Sequence, residues 1–284
     1  MNAVLQIIAR IYPDLFSHKR DVLEDCGQVI VDKLLANEGQ VSATEAEAFF
    51  HALQDRYNEG KRVSEQLRAV QQEDAATVLT FLLHKAGIEE IGFYSTKTHP
   101  NKTYTPTVNT TPTLSTLLNV TLTKTATSMN DLVAIRIRGD YVSEAHWQDS
   151  TGPCVKSPAI VGIKLSSANL QRLTNQILPI SAQRFCQTDS MDPSTASKIT
   201  TPITDPFTLT IAPECFIENR GRPYTSSLVG FILHSGSLNS GHYVAYVKQQ
   251  GKWVEYDDTH VTVLNEKPYE KAQQAYLYCY QADS

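Results

Sequence analysis

The sequence predicts an α+β fold: a helical lobe over residues 1–90, a β-rich extension at 91–157, and an antiparallel β-sheet lobe over 158–284. Three features point there. Apolar residues recur at helical spacing up to Gly87. From Ile91 the texture changes to Thr, Val, Ile and Tyr broken by Pro and Asn. The last third carries apolar runs and alternations of strand length.

The first helix is marked by Val4, Leu5, Ile8, Ile11 and Tyr12. No Ser, Thr, Asp or Asn precedes it as a cap, so the chain is expected to open inside a helix. Ser42-Ala-Thr-Glu45 is a capping box, in which each side chain satisfies a backbone N–H at the other's position. The helix it starts is expected to turn Ala46, Phe49, Phe50 and Leu53 inward. A third helix is expected from near Asp74, with Val78, Leu79, Leu82 and Leu83 as its apolar stripe and Gly87 as its stop.

The threonine-rich stretch from Ser95 to Ser128 reads as exposed strands and loops. Its N-x-[ST] matches at Asn101, Asn109 and Asn119 are expected by chance in such a segment. In the C-terminal third, Leu228–Leu233 is a continuous apolar run, Tyr243–Val247 and Lys252–Tyr256 alternate, and Ala275–Tyr280 is an aromatic closing strand.

Composition limits the function classes. With 284 residues and 41% hydrophobic content the chain can bury a sizeable core. Its 25 basic and 30 acidic residues give a net charge of −5 with no long basic run, which argues against nucleic acid as a partner. No apolar stretch long enough to span a membrane and no secretion signal is visible, so no membrane partner is expected. The cysteines Cys26, Cys154, Cys186, Cys215 and Cys279 stand singly, with no C-x-x-C pair. Neither a zinc knuckle nor a disulfide framework is suggested, no metal or other cofactor is expected, and a reducing compartment, cytoplasmic or nuclear, is the simpler home.

The chemistry concentrates in Leu228–Lys248 and Gly251–Asp258. If Gln250 and Gly251 form a two-residue turn, Gln249 pairs with Lys252, Val244 falls opposite Asp257, and His242 meets Asp257 diagonally. A three-residue loop would pair His242 with Asp258 instead. Either register sets an imidazole beside a carboxylate, which fixes its tautomer and stabilises its cation, as a general base for a thiol or hydroxyl nucleophile requires. A hydrogen-bonded structural histidine would look the same. Gly236 and Gly241 flank the small-residue loop before His242 and permit close approach of another chain.

The string H-S-G-x-x-x-S-G-H-Y-V-A-Y-V, followed by W-x-x-Y-D-D and A-Y-L-Y-C-Y, resembles the histidine box and closing strand of the ubiquitin-specific proteases. In the same order, Gln72–Leu79 with Phe81–Leu83 is similar to the family's Q-x-D-A-x-E-F-L helix, and Pro158–Leu165 to its P-x-x-L-x-I-x-L strand. Pro206–Ile211 fits the strand that follows. Met1-Asn-Ala-Val-Leu-Gln6 is similar to the end of the cysteine box, N-T-C-[FY]-M-N-x-x-L-Q.

The resemblance implies a papain-like fold with the site between helical and sheet lobes, and a deubiquitinase acting on ubiquitin or a ubiquitin-conjugated protein. It implies His242 as general base, Asp257 as the residue orienting it and Asp258 as support. Gly241 and Tyr243 would line the channel for ubiquitin's Gly-Gly tail, and Asp74 would face that tail's basic residues. The nucleophile would stand two residues before Met1, with the oxyanion-stabilising asparagine further upstream, so the chain as given is expected to be inactive. Such a thiol, at a helix N-terminus beside a histidine, is chemically well placed for a thiolate. Cys26, after Glu24 and Asp25, is not, and Cys279 is expected to pack. The chain departs from the family in Thr77, where Glu is usual, and Val78, where Phe is usual. It also lacks the zinc-binding C-x-x-C pairs of many members. A ubiquitin-binding pseudoenzyme and an inert scaffold are the competing expectations.

Overall fold

Four amphipathic helices make the first lobe of the computed structural model: α1 (Asn2–Ile11), α2 (Val22–Leu35), α3 (Ala43–Asn58) and α4 (Ala75–Lys85). The structure describes residues 2–17, 21–36, 41–61, 66, 74–88, 90–101, 105–122, 128–147, 155–173, 176–187, 196–218, 221–237 and 240–283. Ser42 and Glu45 form the expected capping box of α3, and Asp74 caps α4 through the Thr77 N–H at 2.8 Å. Phe49 and Leu53 are buried, but Ala46 is exposed and Phe50 only half-buried. The inward stripe of α3 is therefore narrower than its sequence suggests.

Helix α2 was not anticipated. Its start is nonetheless signalled by a second capping box, Asp21 with Glu24. The two boxes are cross-linked: Lys33 in the last turn of α2 reaches Glu45 at 2.5 Å, and Arg56 in the last turn of α3 reaches Asp21 at 2.8 Å. Each antiparallel partner thus places a cation on the other's capping carboxylate.

The extension contains β1 (Ile91–Thr98), β2 (Thr107–Val108), β3 (Thr113–Ser115), β4 (Leu118–Thr121), α5 (Met129–Arg138) and β5 (Asp140–Trp147), followed by β6 (Val155–Leu165). Helix α5 corrects the expectation of strands and turns alone. Ser128 caps it, and Met129, Leu132, Val133 and Ile137 are buried at helical spacing, a period the surrounding threonines obscured. Strand β6 runs through residues 157 and 158, so extension and sheet lobe share a strand. One five-stranded antiparallel sheet has the order β2-β1-β6-β5, with β3 also pairing β1.

The rest of the chain gives α6 (Ser167–Arg172), β7 (Ile177–Gln183), β8 (Phe185–Gln187), β9 (Ala196–Lys198), β10 (Thr208–Ile211), β11 (Tyr224–Gly236), β12 (Gly241–Gln249), β13 (Lys252–Asp257), β14 (His260–Leu264), α7 (Tyr269–Gln273) and β15 (Leu277–Ala282). The second large sheet runs β14-β13-β12-β11-β15-β7-β4, with β10 also pairing β11; only β4 and β7 are parallel. The closing strand begins two residues later than its aromatic run suggested.

This sheet is covered on both faces, which is why its strands read as nearly continuous apolar runs. Along β15, Leu277 and Cys279 join the core shared with α1–α4, whereas Tyr278 and Tyr280 join the opposite core with α5 and α6. Along β12, Ala245 and Val247 face the first core, Val244 and Tyr246 the second. Among the described residues no helix is long and apolar enough to cross a membrane.

Arg184 fastens the sheet lobe from within. At 1% exposure its guanidinium donates to four main-chain carbonyls: Ala275 (2.7 Å), Gln273 (2.6 Å), Thr201 (3.0 Å) and Ile199 (3.2 Å). It ties the β7–β8 junction to the segment after β9 and to the entry into β15. Arg184→Leu would leave carbonyls unsatisfied and is expected to cost about 3 kcal/mol or more. Arg184→Lys, a point charge that cannot match the planar fork, is expected to recover only part of that loss; urea denaturation of both variants checks it.

Candidate active site

The β12–β13 hairpin closes through Gln250 and Gly251, both at positive φ (48° and 82°), the conformation a two-residue turn demands. Gln249 pairs with Lys252 and the ladder continues to Ala245 opposite Tyr256. The next positions align Val244 with Asp257, so the two-residue register is the one adopted. His242 Nε2 then meets Asp257 Oδ1 at 2.5 Å, the expected diagonal contact. Asp258, at φ 50° in the turn into β14, places Oδ2 3.9 Å from His242 Nδ1.

Two carboxylates therefore flank one imidazole, Asp257 bonded to Nε2 and Asp258 facing Nδ1 from beyond hydrogen-bond distance. The group is open to solvent, with 45% of the His242 side chain and 44% of Asp257 exposed, so a substrate can reach it. The first turn of α1 completes the cluster: Asn2 Nδ2 donates to Asp258 Oδ1 at 3.2 Å. The amino end of α1 thus lies against Asp258, one carboxylate away from the histidine.

Behind His242 the structure explains Gly241. A Cβ there would lie 2.3 Å from both His234 Nε2 and the Ser235 carbonyl oxygen, so any larger residue would displace the His234 ring. His234 was part of the recognised string but was not singled out. It is 5% exposed, its Nδ1 has no hydrogen-bond partner among the described residues, and its ring packs on Tyr243 at 4.5 Å between centroids. Burial, reinforced by the Lys198 cation, pushes its pKa down against the opposing charge of Asp74. What could have flagged it is position alone: it pairs with Tyr243 across the β11–β12 ladder.

Tyr243 and Asp74 do converge. The Tyr243 hydroxyl accepts from the Ala75 N–H, and burial, with the Asp74 charge adding, pushes its pKa up to about 12. Asp74 accepts from Thr77 N–H on one oxygen and from the Tyr276 hydroxyl on the other. It borders an open groove of about 530 Å³ whose walls include Tyr57, Thr77, Phe81, Leu117 and Asn119. Gln72 and Glu73 of the helix motif lie outside the described residues.

The described thiols are poorly suited to attack. Cys279 is fully buried and its thiol is pushed up to about 12 by burial. Cys215 is half-buried and also raised, by burial first and the Glu214 charge second. Cys26 is half-buried in α2. Among the described residues no cysteine hydrogen-bonds His242; Cys154 and the Cys186 side chain lie outside them. His242, Asp257 and Asp258 bring three potential ligand atoms within 4.8 Å of one another and could span a metal ion. The short imidazole–carboxylate bond already accounts for that grouping without one.

Comparison with known proteins agrees with this architecture. Residues 1–280 match the family model described as ubiquitin carboxyl-terminal hydrolase. Among curated relatives, ubiquitin carboxyl-terminal hydrolase 10 of Saccharomyces cerevisiae is 33% identical over 89 residues, 31% of this chain and 11% of that protein. Ubiquitin carboxyl-terminal hydrolase 26 of Oryza sativa subsp. japonica is 45% identical over 56 residues, 19% of this chain and 5% of that protein. The matched segments are thus small parts of much longer relatives. Among solved structures, the Ubp8/Sgf11/Sus1/Sgf73 module of SAGA bound to ubiquitin aldehyde superposes with a TM-score of 0.73 at 16% identity, covering 100% of this chain and 67% of that one. The same module bound to monoubiquitin gives 0.72 at 17% identity, with coverage of 100% and 66%. With the family model spanning nearly every residue and the fold shared throughout, the chain belongs to the ubiquitin carboxyl-terminal hydrolases, as a ubiquitin-specific protease domain.

Proposed function

We propose that this chain forms the greater part of a deubiquitinase, hydrolysing the bond after the last glycine of ubiquitin through a thiol supplied at the amino end of α1. The observation that carries the reading is the contact of that helix end with Asp258, which itself stands beside the His242–Asp257 pair. Asp257 on Nε2 orients the ring and leaves Nδ1 as the working nitrogen. Nδ1 takes the thiol proton, the thiolate attacks the glycine carbonyl, and the proton passes to the departing amine. Water then enters by the same base and releases ubiquitin from the acyl-enzyme. Asp258 supports the imidazolium between these steps.

Ubiquitin is the partner named for two of the solved relatives, and the groove beside Asp74 suits its extended tail, with Gly241 and Tyr243 assigned to the channel that carries the Gly-Gly end on to His242. Thr77 alters the wall of that groove relative to the family pattern, whereas Val78 is buried in the core behind it. The extension at 91–157 contributes to the grip on ubiquitin. Scattered cysteines fit work in the reducing cytoplasm or nucleus.

The test is to prefix the chain with Asn-Thr-Cys-Tyr and treat it with ubiquitin carrying a cysteine-reactive electrophile at its C-terminus. The expected result is a single adduct on the prefixed cysteine, and none on the unextended chain. Hydrolysis of a ubiquitin C-terminal amide by the prefixed chain is expected to fall by about 10²-fold or more in His242→Ala. An adduct on one of the five cysteines already present would overturn the assignment of the thiol. Binding of ubiquitin with no adduct in the prefixed chain would favour the pseudoenzyme.

A second prediction concerns Cys279. Because its thiol is held protonated in the folded chain, alkylation at pH 8 is expected to spare it, and labelling should appear only when denaturant exposes the strand. Rapid labelling of Cys279 in the native chain would contradict the burial described.

A further inference from the structure

Helix α1 turns three polar side chains, Asn2, Gln6 and Arg10, to one face at intervals of four residues. They form a continuous ladder. Arg10 donates to Gln6 Oε1 at 2.5 Å, Gln6 Nε2 donates to Asn2 Oδ1 at 3.3 Å, and Asn2 Nδ2 donates to Asp258 Oδ1 at 3.2 Å. Arg10 is itself fixed from two other sides. Its Nε donates to the Tyr256 hydroxyl at 2.7 Å with the guanidinium over the same ring, and a terminal nitrogen donates to the Leu34 carbonyl at 3.0 Å. Tyr256 in turn donates to Gln249 Oε1 at 2.6 Å.

The direction of this ladder is chemically forced. A guanidinium has only donors, so Gln6 must turn its oxygen towards Arg10 and its nitrogen towards Asn2. Asn2 must then offer oxygen to Gln6 and nitrogen onwards. The group that receives that nitrogen is an ionised carboxylate, which only accepts. Gln6, 4% exposed, has little solvent to turn to instead. Cation and anion at the two ends thus orient both amides between them.

We infer that Asn2, Gln6 and Arg10 are positioning residues that hold Asp258 away from His242 Nδ1 and so keep that nitrogen open. With Oδ1 committed to Asn2, Oδ2 stops 3.9 Å from Nδ1, outside hydrogen-bond distance. At that separation the carboxylate does not occupy the nitrogen. Released from Asn2, Asp258 would close onto Nδ1 and leave the ring capped by carboxylates on both sides. The catalytic consequence rests on the proposed role of His242 as base; the contact itself does not.

The test therefore needs neither thiol nor ubiquitin. Long-range proton–nitrogen correlation spectra of the ¹⁵N-labelled chain, with His242 assigned through His242→Gln, report which ring nitrogen carries a proton. Asn2→Ala is expected to raise the share of His242 rings protonated at Nδ1, compared with the unaltered chain at the same pH. In an Asp258→Ala background the same substitution is expected to change nothing, because Asn2 acts through Asp258. Arg10→Met is expected to shift the resonance in the same direction by a smaller amount. Should that buried change prevent folding, the Asn2 and Asp258 cycle decides alone, since both residues lie near the surface. An unchanged His242 spectrum in Asn2→Ala, or an equal effect in both backgrounds, would overturn the inference. Because ubiquitin hydrolysis is not the readout, failure of the deubiquitinase proposal and failure of this one are distinguishable.

Discussion

Which side chains of β12 and β13 stand side by side is decided by two residues, Gln250 and Gly251, at the far end of the hairpin from the chemistry. A turn one residue longer would slide the ladder and carry every partner to a different neighbour. With the turn as it is, Val247 and Val254 face one core, Tyr246 the other, and His242 comes within hydrogen-bond distance of Asp257. The same register leaves Asp258 to turn the corner into β14, where α1 can reach it. The geometry of the candidate active site is thus inherited from a backbone constraint five residue pairs away.

The sheet in turn fixes α1. Ile7, Ile8 and Ile11 are buried in the core that also takes in Ile232, Ala245 and Val247, so the helix lies across β11 and β12 with little freedom to slide. Its apolar face supplies the burial; its polar edge, running from Arg10 to Asn2, supplies the alignment. One short helix therefore serves both stability and the placement of groups around His242.

What the sequence disclosed was largely what is local. The Ser42 box, the helix start near Asp74 and the Gln250–Gly251 turn, one of two loops the sequence allowed, depend on residues within a few positions of one another, and each appears in the structure. So did the alternations of β12 and β13, from which the His242–Asp257 contact follows. Helix α5 was hidden because its period is brief and set among threonines, and α2 because Val22, Val29 and Leu35 lie exposed and blur its apolar stripe. The packing of His234 under Gly241 depends on how two strands approach, which spacing along one chain does not reveal. The Asn2–Asp258 contact joins residues 256 positions apart, and the four carbonyls around Arg184 come from two segments distant from it in the chain. Such tertiary contacts follow only from the assembled fold.

Reciprocal capping gives α2 and α3 a shared fate. An isolated helix of this length is marginal in water, and its unpaired end groups are part of the reason. Here the carboxylate that caps the start of each helix is also the anchor for a cation at the end of the other, so docking adds an ion pair at every one of these ends. Ordering and association become a single cooperative event. The two helices should open and close together as one unit of local unfolding, and a break in either one would be felt at both ends of its neighbour.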